Sequence, residues 1–452
     1  NRDDEIYCQR LVNEALLELN HHGTGPVHIN IPMKSYNNSF NIKTLPEVTK
    51  IDRLCLDDAD DLWKEKIEKL KKAKRILVTC GQNSYVSLAL QESLKEFFEK
   101  YNSAVSIEYM SNIEIEEGLN LNVCMDARYV IPKKVKEFLP DIVISFGGNI
   151  FAGIKEQFRK FAGEFEHWLV QEDGRVVDLY KSITTIFECK PEYFFKYCVN
   201  VADENQTNDC EYYQGLKRYV DSVIYPDFPY SHVYAIKEVV EKIPADSVLH
   251  LSINDSIRIT NFFKLNPRIK TYANIGTHGI DGCLSSFLGQ AATGNKQSYL
   301  VIGDLAFFYD MNAMRLRHIK NNVHILLINN EGGSEFYFNH MWKDEASDLH
   351  TTARHHTKAE GWVKSNNFIY LSAHDKESMQ EALKEFMRSD LEKPVFLEVF
   401  TEMKTDSDVI YDFFDLSRPK DVQSETIRKS KEFIKATIGQ EKAQKIAGLF
   451  KK

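Results

Sequence analysis

The sequence predicts an α/β protein in which parallel β-sheets are covered by helices. Short runs of apolar residues alternate along the chain with longer segments that carry apolar residues at helical spacing. Such alternation is typical of parallel sheets, because two parallel strands are usually joined by a helix that packs on the sheet. The 452 residues are 43% hydrophobic and 27% charged, which is an ordinary globular composition and excludes a disordered or collagen-like chain.

Charge, hydropathy and cysteine usage exclude several classes of function. The 57 Lys and Arg residues are outnumbered by 66 Asp and Glu residues, and this net charge of -9 argues against nucleic acid as a main partner. No apolar run approaches the roughly 20 residues of a membrane span. The eight cysteines are scattered without a C-x-x-C pair, which favours reduced thiols and argues against a structural zinc site. We therefore expect a cytoplasmic protein without a membrane span.

The first part of the chain offers too little structure for a domain of its own. Residues 7–19 carry apolar positions at helical spacing. Residues 27–31, which lie between Gly25-Pro26 and Pro32, alternate apolar and polar side chains as a short strand does. One helix and one strand do not form an independent domain, so residues 1–32 are expected to be the last unit of a domain that begins before this sequence. Residues 33–57 are polar and aperiodic, as expected of a linker.

Two longer blocks follow, and both alternate between strand and helix patterns. Residues 58–200 are predicted to form a central α/β domain, the acidic and Asn-rich residues 201–214 a second linker, and residues 215–452 another α/β domain. The end of the chain, 421–452, has the pattern of a Lys-rich amphipathic helix. The apolar runs predicted as strands are Ile76–Val78, Ile142–Ile144, Trp168–Val170, Val248–Leu251, Tyr299–Ile302, His324–Ile328 and Val395–Val399.

Two motifs in the last block stand directly after predicted strands. Gly303-Asp304 follows one strand, and Asn329-Asn330-Glu331-Gly332-Gly333 follows the next. Open α/β sheets bind ligands at the carboxyl ends of their strands. The Asp304 carboxylate, the Asn330 amide oxygen and the Gly332 carbonyl would supply the hard oxygen ligands that Mg²⁺ or Ca²⁺ prefers. The alternative is that both motifs simply form turns, since these residue types commonly do.

Together, the paired motifs resemble the thiamine-diphosphate-binding signature, in which Gly-Asp is followed one crossover later by Asn-Asn. A second loop, Asn274-Ile275-Gly276-Thr277-His278-Gly279-Ile280-Asp281-Gly282, is similar to a loop of the menaquinone-pathway synthase family. Further similarity at residues 25–32 and 141–153 extends the resemblance over essentially the whole chain.

The resemblance implies a thiamine-diphosphate-binding fold plus a central Rossmann-like domain. Residues 1–32 would then be the end of the pyrimidine-binding domain, 58–200 the central domain and 215–452 the pyrophosphate-binding domain. The implied cofactors are thiamine diphosphate and Mg²⁺, and the implied assembly is a homodimer or homotetramer. The family's activating Glu lies in the pyrimidine-binding domain, so this chain by itself is expected to be inactive.

The implied reaction is decarboxylation of a 2-oxo acid with transfer of the carbanion to a small-molecule acceptor. Two alternatives stay open. One is simple 2-oxo acid decarboxylation, or ligation for a surface-polysaccharide or sugar-like product. The other is a cofactor-binding subunit without catalysis.

The resemblance also assigns roles to individual residues. Ile280 would support the bent cofactor, Arg258 would hold a substrate carboxylate, and His278 would be either a polar group of the pocket or a loop residue. A metal is assigned to Asp304, Asn330 and Gly332. The residues assigned to cofactor binding are Gly303, Asp304, Leu305, Asn330, Gly332, Gly333, Phe336, Asp281, Gly282 and Asn254.

Departures from the family pattern limit these assignments. Ile275 replaces a second carboxylate-binding arginine, and an apolar side chain cannot bind a carboxylate. Asn254 replaces a serine near the cofactor. His355 and His356 are expected to be surface or packing residues, because no carboxylate or cysteine lies at ligand spacing.

Overall fold

The computed structural model describes residues 2–33, 43–44, 47–56, 60–126, 130, 132–151, 153–203, 208–338 and 349–417. In these residues the strands form two six-stranded sheets, and every pair of neighbouring strands is parallel. The predicted fold class, parallel sheets covered by helices, is therefore confirmed. None of the described helices combines the length and apolar character needed to cross a bilayer.

The first sheet has the strand order β1-β6-β5-β4-β2-β3 and the second has the order β11-β12-β10-β9-β7-β8. The strands of the first are β1 (Asp52–Leu54), β2 (Ile76–Cys80), β3 (Ala104–Ile107), β4 (Ile142–Phe146), β5 (Glu166–Val170) and β6 (Ile183–Phe187). The strands of the second are β7 (Val248–Leu251), β8 (Lys270–Ala273), β9 (Ser298–Gly303), β10 (Val323–Asn329), β11 (Ile369–Ala373) and β12 (Val395–Phe400).

Helices connect the strands and cover the sheets. They are α1 (Arg2–Leu17), α2 (Asp60–Lys72), α3 (Leu88–Tyr101), α4 (Asn122–Met125), α5 (Pro132–Glu137), α6 (Gly153–Arg159), α7 (Pro191–Asn200), α8 (Cys210–Asp221), α9 (His232–Val240), α10 (Asp255–Thr260), α11 (Cys283–Thr293), α12 (Asp304–Asp310), α13 (Ser334–Phe338), α14 (Glu360–Ser365), α15 (Lys376–Phe386) and α16 (Met403–Ser417). Three 3₁₀ turns are Glu18–Asn20, Tyr109–Ser111 and Met311–Arg315.

The central strands form where the apolar runs are continuous. All residues of β2, β4 and β10 are buried, because helices cover both faces of a parallel sheet. The pattern did not predict β1, β3, β6, β8 or β11. Four of these five strands, β1, β3, β8 and β11, are sheet edges, where one side of the strand has no neighbour and mixed sequences such as Lys-Thr-Tyr-Ala in β8 are tolerated.

Several expectations for residues 27–31 and for the two predicted linkers were wrong. Residues 27–31 form no strand and pair with no described strand, and Ile29 and Ile31 are 44% and 73% exposed. An extended segment without a neighbour has no partner for its backbone N–H and C=O groups, so alternation alone does not make a sheet. The predicted linker 33–57 contains β1, which pairs with β6, and α8 begins within the predicted linker 201–214. The predicted helix at 421–452 lies outside the described residues.

The two sheets meet through polar and apolar contacts between the loops of the first and the edge of the second. The Asn112 side chain donates to the Thr271 carbonyl at 3.0 Å and accepts from the Thr271 N–H at 2.8 Å, as an additional strand would. Gln82 donates to the Ala273 carbonyl at 2.6 Å, and a single buried apolar cluster includes residues of both sheets. These contacts fix the first sheet against β8.

A carboxyl group is buried just behind this junction. Glu108 is 4% exposed, its Oε2 accepts the Phe151 N–H at 3.1 Å, and its Oε1 has no hydrogen-bond partner among the described residues. Burial raises the pKa of Glu108 to about 8, because an apolar interior disfavours the charged form.

We predict that Glu108 makes the protein less stable as the pH rises. In the unfolded chain this carboxyl ionises near pH 4.5, whereas in the folded chain it stays protonated to about pH 8. The free energy of unfolding should therefore decrease across this window by up to about 5 kcal/mol and level off above it. Denaturant titrations at several pH values should show that Glu108→Gln removes this dependence, whereas Glu116→Gln, at an exposed position, should keep it. An unchanged pH profile in Glu108→Gln would contradict the prediction.

Candidate active site

Asp304 and Asn330 converge at the carboxyl ends of two neighbouring strands. Strands β9 and β10 pair in parallel, Asp304 begins α12 directly after β9, and Asn330 directly follows β10. Asp304 Oδ2 accepts the backbone N–H groups of Asn330 at 3.1 Å and of Gly332 at 3.0 Å, while Oδ1 accepts the N–H of Leu305 at 2.6 Å. One buried carboxylate thus joins the start of the helix to the loop after the next strand.

The loop after β10 requires glycine for steric reasons. Gly332 has a φ of +152°, and a Cβ there would lie 2.7 Å from the Thr352 carbonyl oxygen. The Gly333 N–H donates to the same oxygen at 2.7 Å, and a Cβ on Gly333 would lie 2.8 Å from the Phe336 ring. The two glycines therefore let this loop pack closely against the chain at Thr352 and bring Phe336 to the site.

A cavity of about 340 Å³ opens beside these residues. Most of the residues that the sequence assigned to the site line this cavity, whereas Arg258, Asp281 and Gly282 do not. The assigned residues that line it are Asn254, His278, Ile280, Gly303, Asp304, Leu305, Asn330, Gly332, Gly333 and Phe336.

The loop before α11 forms the opposite wall of the cavity. Ile280 is partly buried against the apolar cluster under α11, and His278 is exposed with its ring 6.0 Å from that of Phe151. Gly282 caps α11 with a φ of +73°, and its carbonyl accepts the Asn274 side-chain N–H at 3.0 Å. Asp281 is exposed. The structure thus separates Ile280 and His278, which face the cavity, from the next two residues, which shape the helix start.

Arg258 lies among three carboxylates. Its guanidinium contacts Glu335, lies 3.2 Å from Asp255 Oδ1 and lies 3.4 Å from Asp126 Oδ2. Burial by itself would lower the pKa of Arg258, but these carboxylates raise it, so the group stays charged. Burial and the nearby Asp255 raise the pKa of Glu335. Any substrate carboxylate that binds Arg258 has to compete with Glu335, which lines the cavity.

Asn254 and Ile275, the two departures from the family pattern, lie in different surroundings. Asn254 lines the cavity with φ +58° and ψ -118°, a conformation that costs energy for a residue with a side chain and is common at functional sites. Ile275 is 2% exposed and packs in the apolar core that includes both sheets, and it is not one of the residues that line the cavity.

Sequence patterns missed a buried network that orients Asn330. The Asn330 amide nitrogen donates to Asp406 Oδ2 at 2.9 Å, and Thr401 donates to the same oxygen at 2.7 Å. His232 donates its backbone N–H to Asp406 Oδ1 at 2.8 Å, and its ring Nδ1 lies 3.2 Å from that oxygen. Burial by itself would raise the pKa of Asp406, but His232, Thr401 and Asn330 hold it below its usual range. His232, Asp406 and Asn330 come from three separate segments, so no local motif could reveal the network.

The charge on Asp406 decides which way the Asn330 amide points. A carboxylate accepts hydrogen bonds only, so the nitrogen of the amide must face Asp406 and its oxygen must face away. No described residue donates a hydrogen bond to that oxygen. Asn330 Oδ1 and the Asp304 carboxylate are thus hard oxygen donors on neighbouring strand ends, and the donor set fits a divalent cation that carries phosphate oxygens.

His355 was expected to be a surface or packing residue; its ring packs against Phe308, and the structure adds a contact with Asp304 that the sequence did not predict. Its Nε2 lies 3.4 Å from Asp304 Oδ2, and its backbone N–H donates to the Glu331 carbonyl at 3.0 Å. The nearby Asp304 carboxylate raises the pKa of His355. His356 is 78% exposed and lies 3.0 Å from Glu331, as expected of a surface residue. The sequence contains no signal for the His355 contact, because the folding of a distant segment creates it.

We predict that Asp406→Asn weakens metal-dependent binding of thiamine diphosphate. Without the charge, residue 406 can present its own amide N–H to Asn330, so the Asn330 oxygen is no longer held toward the cavity. Calorimetry with thiamine diphosphate and Mg²⁺ should show a dissociation constant raised about 10- to 100-fold. Asp408→Asn, at an exposed position on the same helix, should bind as the wild type does. Equal affinity in the two variants would contradict the role of Asp406.

Several curated proteins that are similar to this chain share one name. No protein-family model matches the chain. A "2-succinyl-5-enolpyruvyl-6-hydroxy-3-cyclohexene-1-carboxylate synthase" of Phocaeicola vulgatus is 34% identical over 421 residues, which are 91% of this chain and 74% of the relative. Proteins of the same name from Bacteroides fragilis (35%) and Bacteroides thetaiotaomicron (34%) cover the same shares. The chain therefore belongs to the 2-succinyl-5-enolpyruvyl-6-hydroxy-3-cyclohexene-1-carboxylate synthase family of thiamine-diphosphate-dependent enzymes.

Proposed function

We propose that this chain binds thiamine diphosphate through Mg²⁺ and takes part in decarboxylating a 2-oxo acid and transferring the carbanion to an acceptor. The observation that carries the proposal is the convergence of Asp304 and Asn330 on one cavity at the ends of β9 and β10. The names of the relatives support the same reaction, because each is called a synthase of a succinyl-substituted cyclohexene carboxylate.

Under this proposal, Asp304, Asn330 Oδ1 and the Gly332 carbonyl hold the metal, and Gly303, Leu305 and Gly333 line the space beside it. Asp406 and His232 keep the Asn330 oxygen turned to the metal. The first sheet with its helices is the central domain, and the second sheet with its helices is the pyrophosphate-binding domain.

The loop before α11, which forms the opposite wall of the cavity, has a different role. Ile280 presents an apolar surface to the cavity, and His278 is an exposed polar group of this loop that lines the cavity. When bound, thiamine diphosphate supplies a cationic thiazolium ring that accepts the electrons released as the 2-oxo acid loses CO₂. The residues of this chain bind and orient the reactants around that ring, and Phe336 and Ile280 exclude water from the apolar part of the site.

The surroundings of Arg258 favour a second candidate, decarboxylation or ligation of a substrate with fewer carboxylates. Glu335, Asp255 and Asp126 already surround this arginine, and the position of the family's second arginine is the buried Ile275. The described part of the cavity wall therefore offers a dicarboxylate less free positive charge than two arginines would.

The central proposal predicts that Asp304→Ala abolishes Mg²⁺-dependent binding of thiamine diphosphate. The variant loses a metal ligand and the hydrogen bonds that hold the loop after β10, so we expect affinity to fall at least about 100-fold. Calorimetry on the chain with cofactor and Mg²⁺ measures this. Asp227→Ala, at an exposed carboxylate, is the control. Wild-type binding that persists when a chelator removes the metal would overturn the proposal.

The second candidate makes a separate prediction about Glu335. If Glu335 competes with substrate for Arg258, the wild-type chain with bound thiamine diphosphate and Mg²⁺ should bind pyruvate at least as tightly as 2-oxoglutarate. In Glu335→Gln the competing charge is gone, and a charge-assisted bond worth about 1.5 to 3 kcal/mol should tighten 2-oxoglutarate binding roughly tenfold to 150-fold. Pyruvate binding should stay unchanged. Glu377→Gln, at an exposed position of α15, is the control.

These ligand-binding measurements discriminate between the two candidates. Tight binding of 2-oxoglutarate by the wild type, unchanged in Glu335→Gln, would favour the dicarboxylate reaction of the named relatives and would mean that another group supplies the charge. The reaction itself can be measured on the chain together with the pyrimidine-binding domain. CO₂ release from 2-oxoglutarate that depends on added isochorismate would identify the carboligase reaction. CO₂ release without an acceptor would identify simple decarboxylation.

A further inference from the structure

Two adjacent histidines and a glutamate meet on the first sheet, away from the cavity at β9 and β10. His21 and His22 follow the 3₁₀ turn after α1, and Glu188 directly follows β6. His21 Nε2 lies 3.3 Å from one carboxylate oxygen of Glu188, and His22 Nε2 lies 2.5 Å from the other. One ligand atom from each of the three residues lies within 4.8 Å of the others, which is close enough for the three to bind one metal ion.

In the neutral His21 ring, the tautomer that donates to Glu18 turns a lone pair toward Glu188. Its Nδ1 lies 3.1 Å from Glu18 Oε2, and because a carboxylate only accepts hydrogen bonds, Nδ1 carries the proton. Nε2 is buried, and it makes no hydrogen bond with any described residue. In a neutral ring this nitrogen would face the Glu188 carboxylate lone pair to lone pair, which is unfavourable unless a proton or a cation lies between them. A carboxylate on Nδ1 and a metal on Nε2 is the usual arrangement of a metal-binding histidine.

The carboxylate of Glu188 is held in place. Its side chain is 6% exposed, and Gly174, with a φ of +61°, lies so close that a Cβ there would be 2.8 Å from Oε2. Arg53 contacts both the Glu188 side and the His21 side of the cluster. Its Nε donates to the carbonyl of Gly174, beside Glu188, at 2.8 Å, and its Nη2 lies 2.6 Å from Glu18, beside His21. The ligand position is thus built from the first sheet, and the Glu18 that orients His21 is fixed by the same arginine.

We propose that His21, His22 and Glu188 bind a divalent transition-metal ion, of which Zn²⁺ is the best match. Two imidazole nitrogens and one carboxylate oxygen suit Zn²⁺, and the hard Mg²⁺ prefers oxygen ligands alone. Three protein donors leave a fourth tetrahedral position for water. The ion would connect the segment after α1 to the end of β6, and it is distinct from the metal proposed at Asp304.

Cobalt and zinc titrations test the proposal on the chelator-treated 452-residue chain. Co²⁺ bound by two nitrogens and an oxygen in a tetrahedral site should give visible absorption bands, and one equivalent of Zn²⁺ should remove them and raise the melting temperature. Glu188→Gln and His22→Asn should lose the bands and weaken Zn²⁺ binding at least about 100-fold. His22 is 71% exposed, so its replacement tests the ligand role without disturbing the core.

Two matched variants make the result specific. His28→Ala removes an exposed histidine from the same segment and should leave the bands unchanged, and Asp304→Ala should also keep them because it alters the other metal site. Glu18→Gln removes the charge that orients His21, together with its ion pair to Arg53, and should weaken Zn²⁺ binding about 10- to 100-fold. Co²⁺ bands and Zn²⁺ affinity that are the same in Glu188→Gln and the wild type, or no Zn²⁺ binding beyond that of His22→Asn, would overturn the proposal and leave an ordinary ion pair between protonated histidines and Glu188.

Discussion

The carboxylate of Asp304 is the constraint on which the geometry of the second sheet's functional edge depends. Its two oxygens accept N–H groups from the start of α12 and from the loop after β10, so one side chain sets the distance between two strand ends. Backbone N–H groups buried at such a junction need acceptors, and without this carboxylate they would have none from within their own elements. The close packing of Gly332 against Thr352 then positions the rest of the loop and Phe336.

The buried charges of Asp406 and Arg258 near the cavity each lie beside groups of opposite charge. Asp406 is completely buried, yet the His232 ring and two neutral donors keep it ionised, and Arg258 is surrounded by carboxylates from α10, α13 and the end of α4. Paired buried charges of this kind seldom add net stability, because desolvation cancels most of the attraction. Their effect here is geometric: they fix the direction of the Asn330 amide and of the Arg258 guanidinium.

The first sheet contributes to the site although the metal-binding motif lies on the second. Phe151 lies beside His278 and under the Arg258 guanidinium, and Asp126 reaches the same arginine. The Asn112 side chain completes the backbone hydrogen bonds of Thr271 on the edge strand β8, which holds the two sheets in register at this wall. The position of the cavity therefore depends on how the two sheets pack as well as on the motif itself.

The sequence by itself determined the parallel α/β architecture and the pair of strand-end motifs. Continuous apolar runs such as His324–Ile328 form strands that are buried because helices cover both faces of the sheet. The carboxyl ends of parallel strands lie at one edge of the sheet, and Gly-Asp and Asn-Asn meet there. Edge strands such as β8 were not predictable, because their sequence is mixed. The isolated run at 27–31 was wrongly predicted as a strand, since a strand needs a neighbour that alternation cannot reveal. Only the tertiary structure decided the roles of His232, Asp406 and His355, the carboxylates around Arg258 and the burial of Ile275. Those contacts join segments far apart in the chain, and their strength depends on exclusion of water, which no local pattern encodes.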